Sequence, residues 1–155
     1  MSHEEGMKIA INEALKAVDD GDGGPFGAVV VQNDEVLSTA HSEVLKRQDS
    51  VAHAVILAIQ EAEKRLGSHD LSGCSLYTVN RPCPMCLGAC LNAGIKHVYY
   101  GVPHKKTSEI GFSYEKYQNL VESDGFKDKF MTQVGVLDCL RVYEHYLSKQ
   151  EKQGG

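Results

Sequence analysis

Residues 81–86 read RPCPMC, and no other stretch limits the fold of this chain as tightly. An apolar run, 74–79 (CSLYTV), precedes it and reads as a buried strand. Pro84 suits the first position of a helix that runs to about residue 92 and stops at Gly94. Cys83 and Cys86 therefore open a helix, where the backbone dipole favours thiolates. Upstream, residues 51–66 have a second helical pattern, with Ala52, Val55, Ile56, Ile59, Ala62 and Leu66 on the inner face and Gly67 as the cap. His53 opens this helix. Both helices follow strands, so both N-termini can meet at one edge of a sheet, where α/β folds gather ligands. One imidazole and two thiolates make three ligands. Zinc takes four, and the open position belongs to a catalytic rather than a structural site.

Two other readings of these residues remain open at this level. A Cys-x-x-C can be a redox pair, although Pro84-Met85 and the lack of a thioredoxin-like surround count against that. Cys90 could close a Cys3His site, but one turn beyond Cys86 it also reads as a small core residue, as do Cys74 and Cys139.

The remaining pattern supplies the scaffold. Residues 7–18 place Met7, Ala10, Ile11, Ala14 and Val18 on one helical stripe, and DDGDGG ends that helix. Residues 26–32 and 35–42 read as strands joined by Asn33-Asp34 in a tight hairpin. Residues 97–102 form another strand. A weaker helix is expected near 113–122, a last strand at 131–136 and a helix at 137–148, with Leu140, Tyr143 and Leu147 inward. The polar tail from about 148 is expected to fray. This alternation predicts a three-layer α/β/α sandwich with a mixed five-stranded sheet, in one domain spanning 1–155.

Charge narrows the partners. Lys and Arg number 16 against 21 Asp and Glu, a net charge of −5, and this gives no signal for long polyanions. No apolar run is long enough to span a bilayer. The N-terminus lacks an apolar leader and the cysteines fit a reducing compartment, so a cytoplasmic location is expected.

GGPFGAVVV, AHAVILAI, LYTVNRPCPMCLGAC and SEIGF together resemble the cytidine-deaminase-like superfamily of zinc-dependent deaminases, most nearly the branch that includes bacterial guanine deaminase and fungal cytosine deaminase. The resemblance covers about residues 7–115. It implies a cytidine-deaminase-like fold, Zn2+ held by His53, Cys83 and Cys86, and hydrolytic deamination of a base or nucleoside-like ligand, with zinc activating water and a glutamate shuttling protons. It also implies substrate-facing positions at Phe26, Gly27, Ala28, Ser42, Ala52 and Glu109, and a homodimer with a seam in LGACLNAGIKHVYYGV.

The chain departs from that family pattern at four positions, and its tail is polar after Tyr146, where the guanine-specific branch tends to close its site with aromatic residues. Val55 stands where the family's H-x-E motif carries its glutamate. Arg81 replaces a common Glu, Ser42 a common Asn and Ser50 a common Pro. Valine fits the inward stripe of its helix but cannot accept or deliver a proton. The expectation is a zinc-binding deaminase-family protein of impaired or altered activity. The alternative is an inactive one that binds a ligand or a partner subunit. Glu109 is the other carboxylate to consider for the missing role.

Overall fold

The computed structural model describes residues 1–117 and 130–154. The elements in chain order are α1 (His3–Asp20), β1 (Gly27–Gln32), β2 (Glu35–His41), α2 (Val44–Arg47), α3 (Ala54–Leu66), β3 (Ser75–Asn80), α4 (Pro84–Ala93), β4 (His97–Val102), α5 (His104–Glu109), a 3-10 turn (Glu115–Tyr117), β5 (Met131–Gln133) and α6 (Val136–Gly154). The sheet order is β2-β1-β3-β4-β5. β1 pairs antiparallel with β2 and β3, whereas β3–β4 and β4–β5 are parallel. This is the expected mixed five-stranded sheet.

Two-residue periodicity divides the core. Along β1, Ala28 and Val30 face α3 and α4, whereas Val29 and Val31 face α1 and α6. β3 continues the split, with Leu76 on the first side and Tyr77 and Val79 on the second. The hairpin turn places Asn33 and Asp34 at φ 49° and 65°, as a two-residue type I′ turn requires.

α1 starts with a capping box, in which Ser2 and Glu5 bond each other's backbone N–H groups. It lies hard against β1 at Gly27. A Cβ there would meet the Ala10 carbonyl oxygen at 2.1 Å and the Ala14 nitrogen at 2.6 Å. Those are helix backbone atoms and cannot rotate aside. Gly27→Ala is therefore expected to cost about 1–3 kcal/mol or more, read as a lower urea midpoint at an unchanged slope.

Several boundaries differ from the sequence reading. The second helix begins at Ala54 because His53 is its extended N-cap, at φ −73°, ψ 151°. Within the helix expected near 113–122, residues 115–117 form the 3-10 turn and 118–122 lie outside the described residues. The last strand ends at Gln133. The C-terminal helix buries Cys139, Val142 and Tyr143, with Leu140 partly buried against the same cluster; Leu147, expected inward, is 44% exposed. Both stripes are helical and share Tyr143, and the approach of α6 to Gly101 on β4 selects the one containing Cys139. The tail does not fray at 148. Its Lys, Gln and Glu residues are good helix formers, and α6 continues to Gly154.

Candidate metal centre

Helix capping brings the three donors together. His53 is the N-cap of α3, Cys83 the N-cap of α4, and Cys86 follows within the first turn of α4. The His53 Nδ1 atom lies 3.7 Å from Cys83 Sγ and 3.4 Å from Cys86 Sγ, and all three donor atoms fall within 4.8 Å of one another. Tetrahedral zinc, with bonds of about 2.3 Å to sulfur and 2.0–2.1 Å to nitrogen, needs N···S edges of roughly 3.5–3.6 Å. The donor set fits zinc. No fourth His, Cys, Asp or Glu joins the cluster among the described residues. Cys90 is fully buried outside it, its thiol pushed up to about 12 by burial, and a closed Cys3His site is not formed.

The two sulfurs differ in their hold on protons. The Cys86 thiol hydrogen-bonds the Cys83 sulfur and His53 adds to the effect, drawing Cys83 down to about 4. The same contact, with burial, raises Cys86 well above an ordinary thiol. The site is thus primed with one thiolate at a helix N-terminus.

A second layer fixes the loop that carries Cys83. His104 Nε2 donates to the Pro82 carbonyl at 3.2 Å, and burial lowers the imidazole's pKa, which favours this neutral form. The His104 ring packs on Tyr114, with centroids 4.4 Å apart, and Tyr114 accepts a 3.1 Å hydrogen bond from Asn80 Nδ2. The Tyr117 hydroxyl interacts with the Cys83 sulfur. Sequence reasoning missed these groups. Asn80 ends the strand before the cysteines, whereas His104, Tyr114 and Tyr117 follow Cys86 in a segment of weak periodicity, and only tertiary packing returns them to the metal.

A cavity of about 710 Å³ opens beside the donors. Gly21, Gly23 and Gly24 form one wall with Val44 and Leu45 of α2. Phe26, Phe112 and Tyr146 form an aromatic wall, with Phe26 and Phe112 edge to face at 4.9 Å. Lys149 and Gln150 reach it from the last turns of α6, the part expected to fray. Val55 lines the same cavity, 3% exposed, two residues after His53.

The expected substrate positions divide. Phe26 and Ser42 line the cavity. Gly27, Ala28, Ala52 and Glu109 are not in its lining. Gly27 abuts α1, and Ala28 points into the core under α3 and α4. Ala52 is buried and accepts the Glu43 N–H through its carbonyl. Glu109 is 52% exposed and pairs with Lys106 at 3.4 Å. Arg81 lies over the Tyr100 ring, 5.5 Å from its centroid. No Asp or Glu lines the cavity among the described residues.

Comparison with known proteins agrees with this geometry. Residues 1–102 match the cytidine and deoxycytidylate deaminase zinc-binding region. Guanine deaminase of Bacillus subtilis (strain 168) is 43% identical over 112 residues, 72% of this chain and 72% of that protein. A tRNA-specific adenosine deaminase of the same organism is 39% identical over 151 residues, 94% of this chain and 91% of the relative. The X-ray structure of the Bacillus subtilis guanine deaminase superposes with a TM-score of 0.75 at 35% identity, covering 96% of this chain and 95% of the other.

Proposed function

The chain belongs to the cytidine and deoxycytidylate deaminase zinc-binding family, and from that premise we propose that it binds a base-like heterocycle beside zinc without hydrolysing it at an ordinary enzymatic rate. The observation that carries this reading is Val55, with no described carboxylate in the cavity lining. A zinc ion held by His53, Cys83 and Cys86 supplies Lewis-acid activation of water. Deamination also requires a group that takes a proton from that water and delivers one to the departing amine. Valine does neither. Glu109 faces solvent and is engaged by Lys106. Tyr114 is held as a neutral phenol, because burial raises its pKa, with the Cys83 charge adding to the shift.

What the chain retains is a binding site. Phe26, Phe112 and Tyr146 offer ring faces and edges to a flat heterocycle. Ser42, 3% exposed, supplies a hydroxyl that can donate to or accept from a ring substituent. The relatives are named a guanine deaminase and a tRNA-specific adenosine deaminase. A net charge of −5 favours the small ligand for this chain.

A homodimer through α4 fits this reading, since Leu91 on that helix is 48% exposed. Light scattering of the purified chain is expected to give twice the 17.0 kDa chain mass; a monomer at micromolar concentration would refute it. Among the described residues no helix is long and apolar enough to cross a membrane.

Calorimetry and an ammonia assay on one zinc-loaded sample test the main reading. Guanine or another free base is expected to bind, with ammonia release far below one turnover per second. Ordinary turnover, or failure of every base and nucleoside to bind, would overturn it.

A further inference from the structure

His41 lies outside the metal centre, and its surroundings are unusual. It is the last residue of β2, opposite Gly27 of β1, which offers it no side chain. Its Nδ1 is 2.7 Å from Glu13 Oε2 on α1, and its Nε2 is 2.8 Å from Asp22 Oδ2 in the glycine-rich loop. An ionised carboxylate only accepts hydrogen bonds, and a neutral imidazole has only one N–H to donate. Both contacts are satisfied together only by the doubly protonated, cationic ring. Loss of that proton leaves a nitrogen lone pair facing a carboxylate oxygen.

Asp22 connects this bracket to the cavity. Its carbonyl accepts the backbone N–H groups of Leu45 and Lys46, at 3.0 and 2.9 Å, which anchors α2. Gly21, Gly23 and Gly24 on either side of it line the cavity, as do Val44 and Leu45. Gly23 packs so closely on Ser42 that a Cβ there would lie 2.3 Å from the Ser42 hydroxyl. Ser42 in turn donates its backbone N–H to Phe26 at 3.0 Å. A shift of Asp22 therefore reaches the glycine wall, α2 and the seat of Ser42.

We propose that His41 is a positioning residue whose protonated ring clamps the glycine loop and α2 in place, so that this wall of the cavity loosens as the pH rises. The groups facing the ring support the clamp. Glu13 also receives the Thr39 hydroxyl at 3.1 Å and Lys16 at 3.5 Å, and Glu43, the N-cap of α2, is taken by Arg47 and Lys46. Burial alone would lower the His41 pKa, but the hydrogen bonds to Glu13 and Asp22 outweigh it and raise the value above the ordinary 6.5. Burial opposes the charge on Glu13 too, but His41, Lys16 and Thr39 together outweigh it and lower the pKa below 4.5. The sign follows from both shifts. The clamp is complete below the ordinary imidazole value, fades as pH rises through the raised one, and also fails in acid once Glu13 is protonated.

Amide exchange by NMR between pH 6 and 9, corrected for the intrinsic rate, tests this directly. The amides of Ser42, Leu45 and Lys46 report the wall, and β3 amides report the fold. In the native chain, wall protection is expected to fall severalfold as the His41 ring titrates, with β3 unchanged. His41→Gln is expected to show low, pH-independent protection at the wall with β3 intact, whereas Asp22→Asn, whose amide can donate to the neutral ring, is expected to keep the wall protected as the pH rises. A flat native profile across the His41 titration, or an unchanged pH dependence in His41→Gln, would overturn the proposal. The test does not depend on zinc or on turnover.

Discussion

Val55→Glu is expected to raise ammonia release from a bound base by about 10²–10⁴ over the native chain, the range over which a positioned acid–base group acts. The position is already correct in outline. Residue 55 lies in the first turn of α3, lines the cavity and follows His53 by two residues. The exchange also removes an apolar side chain from the inner stripe of α3 and places a carboxylate where the valine is 3% exposed. That should cost about 1–3 kcal/mol of stability, moderated by the open cavity on one side. Activity and melting temperature are therefore expected to move in opposite directions, which separates restored chemistry from a general tightening of the fold. A folded, zinc-loaded Val55→Glu chain as inert as the native one would show that the deficit lies elsewhere, with Ser42 the next residue to test.

Cys83→Ser is expected to remove the metal. Serine's hydroxyl is a poor zinc ligand at neutral pH, whereas Cys83 is already held as a thiolate by the Cys86 thiol and His53. A ligand that binds only the folded state adds about 4.1 kcal/mol at a thousandfold excess over its Kd. In a chain of this size that corresponds to a fall in Tm of roughly 8–16 °C. A strong chelator should lower the native Tm by a similar amount and leave Cys83→Ser unmoved. Zinc content by mass spectrometry should fall from one per chain to near zero. A variant that keeps its zinc, or that the chelator destabilises as much as the native chain, would contradict the assignment of Cys83.

The metal donors were readable in the sequence because local rules place them. Pro84 fixes the start of α4, and the caps of α3 and α4 set His53 and Cys83 at helix ends without tertiary information. The hairpin and the division of the sheet's faces follow from turn residues and two-residue alternation in the same way. The cavity walls were readable only at Phe26 and Ser42, through the family resemblance. Phe112, Tyr114 and Tyr146 belong to segments whose pattern does not say where they fold back, and Lys149 and Gln150 enter only because α6 continues past residue 148. Tyr143 satisfies two helical stripes, and a close approach at Gly101 decides between them. His41 reads as an ordinary strand residue until α1 and the glycine loop supply its two carboxylates. Four-residue α2 has too little periodicity to register, yet it forms part of a wall.

The most direct measurement is the turnover number of the native chain, on a sample shown to carry one zinc per chain, against a panel of free bases and nucleosides. Full zinc occupancy with ammonia release well below one per second is the expected result. A turnover of order 1–10³ per second on any of them would mean that protons move without a carboxylate at residue 55, and the account given for this site would be wrong.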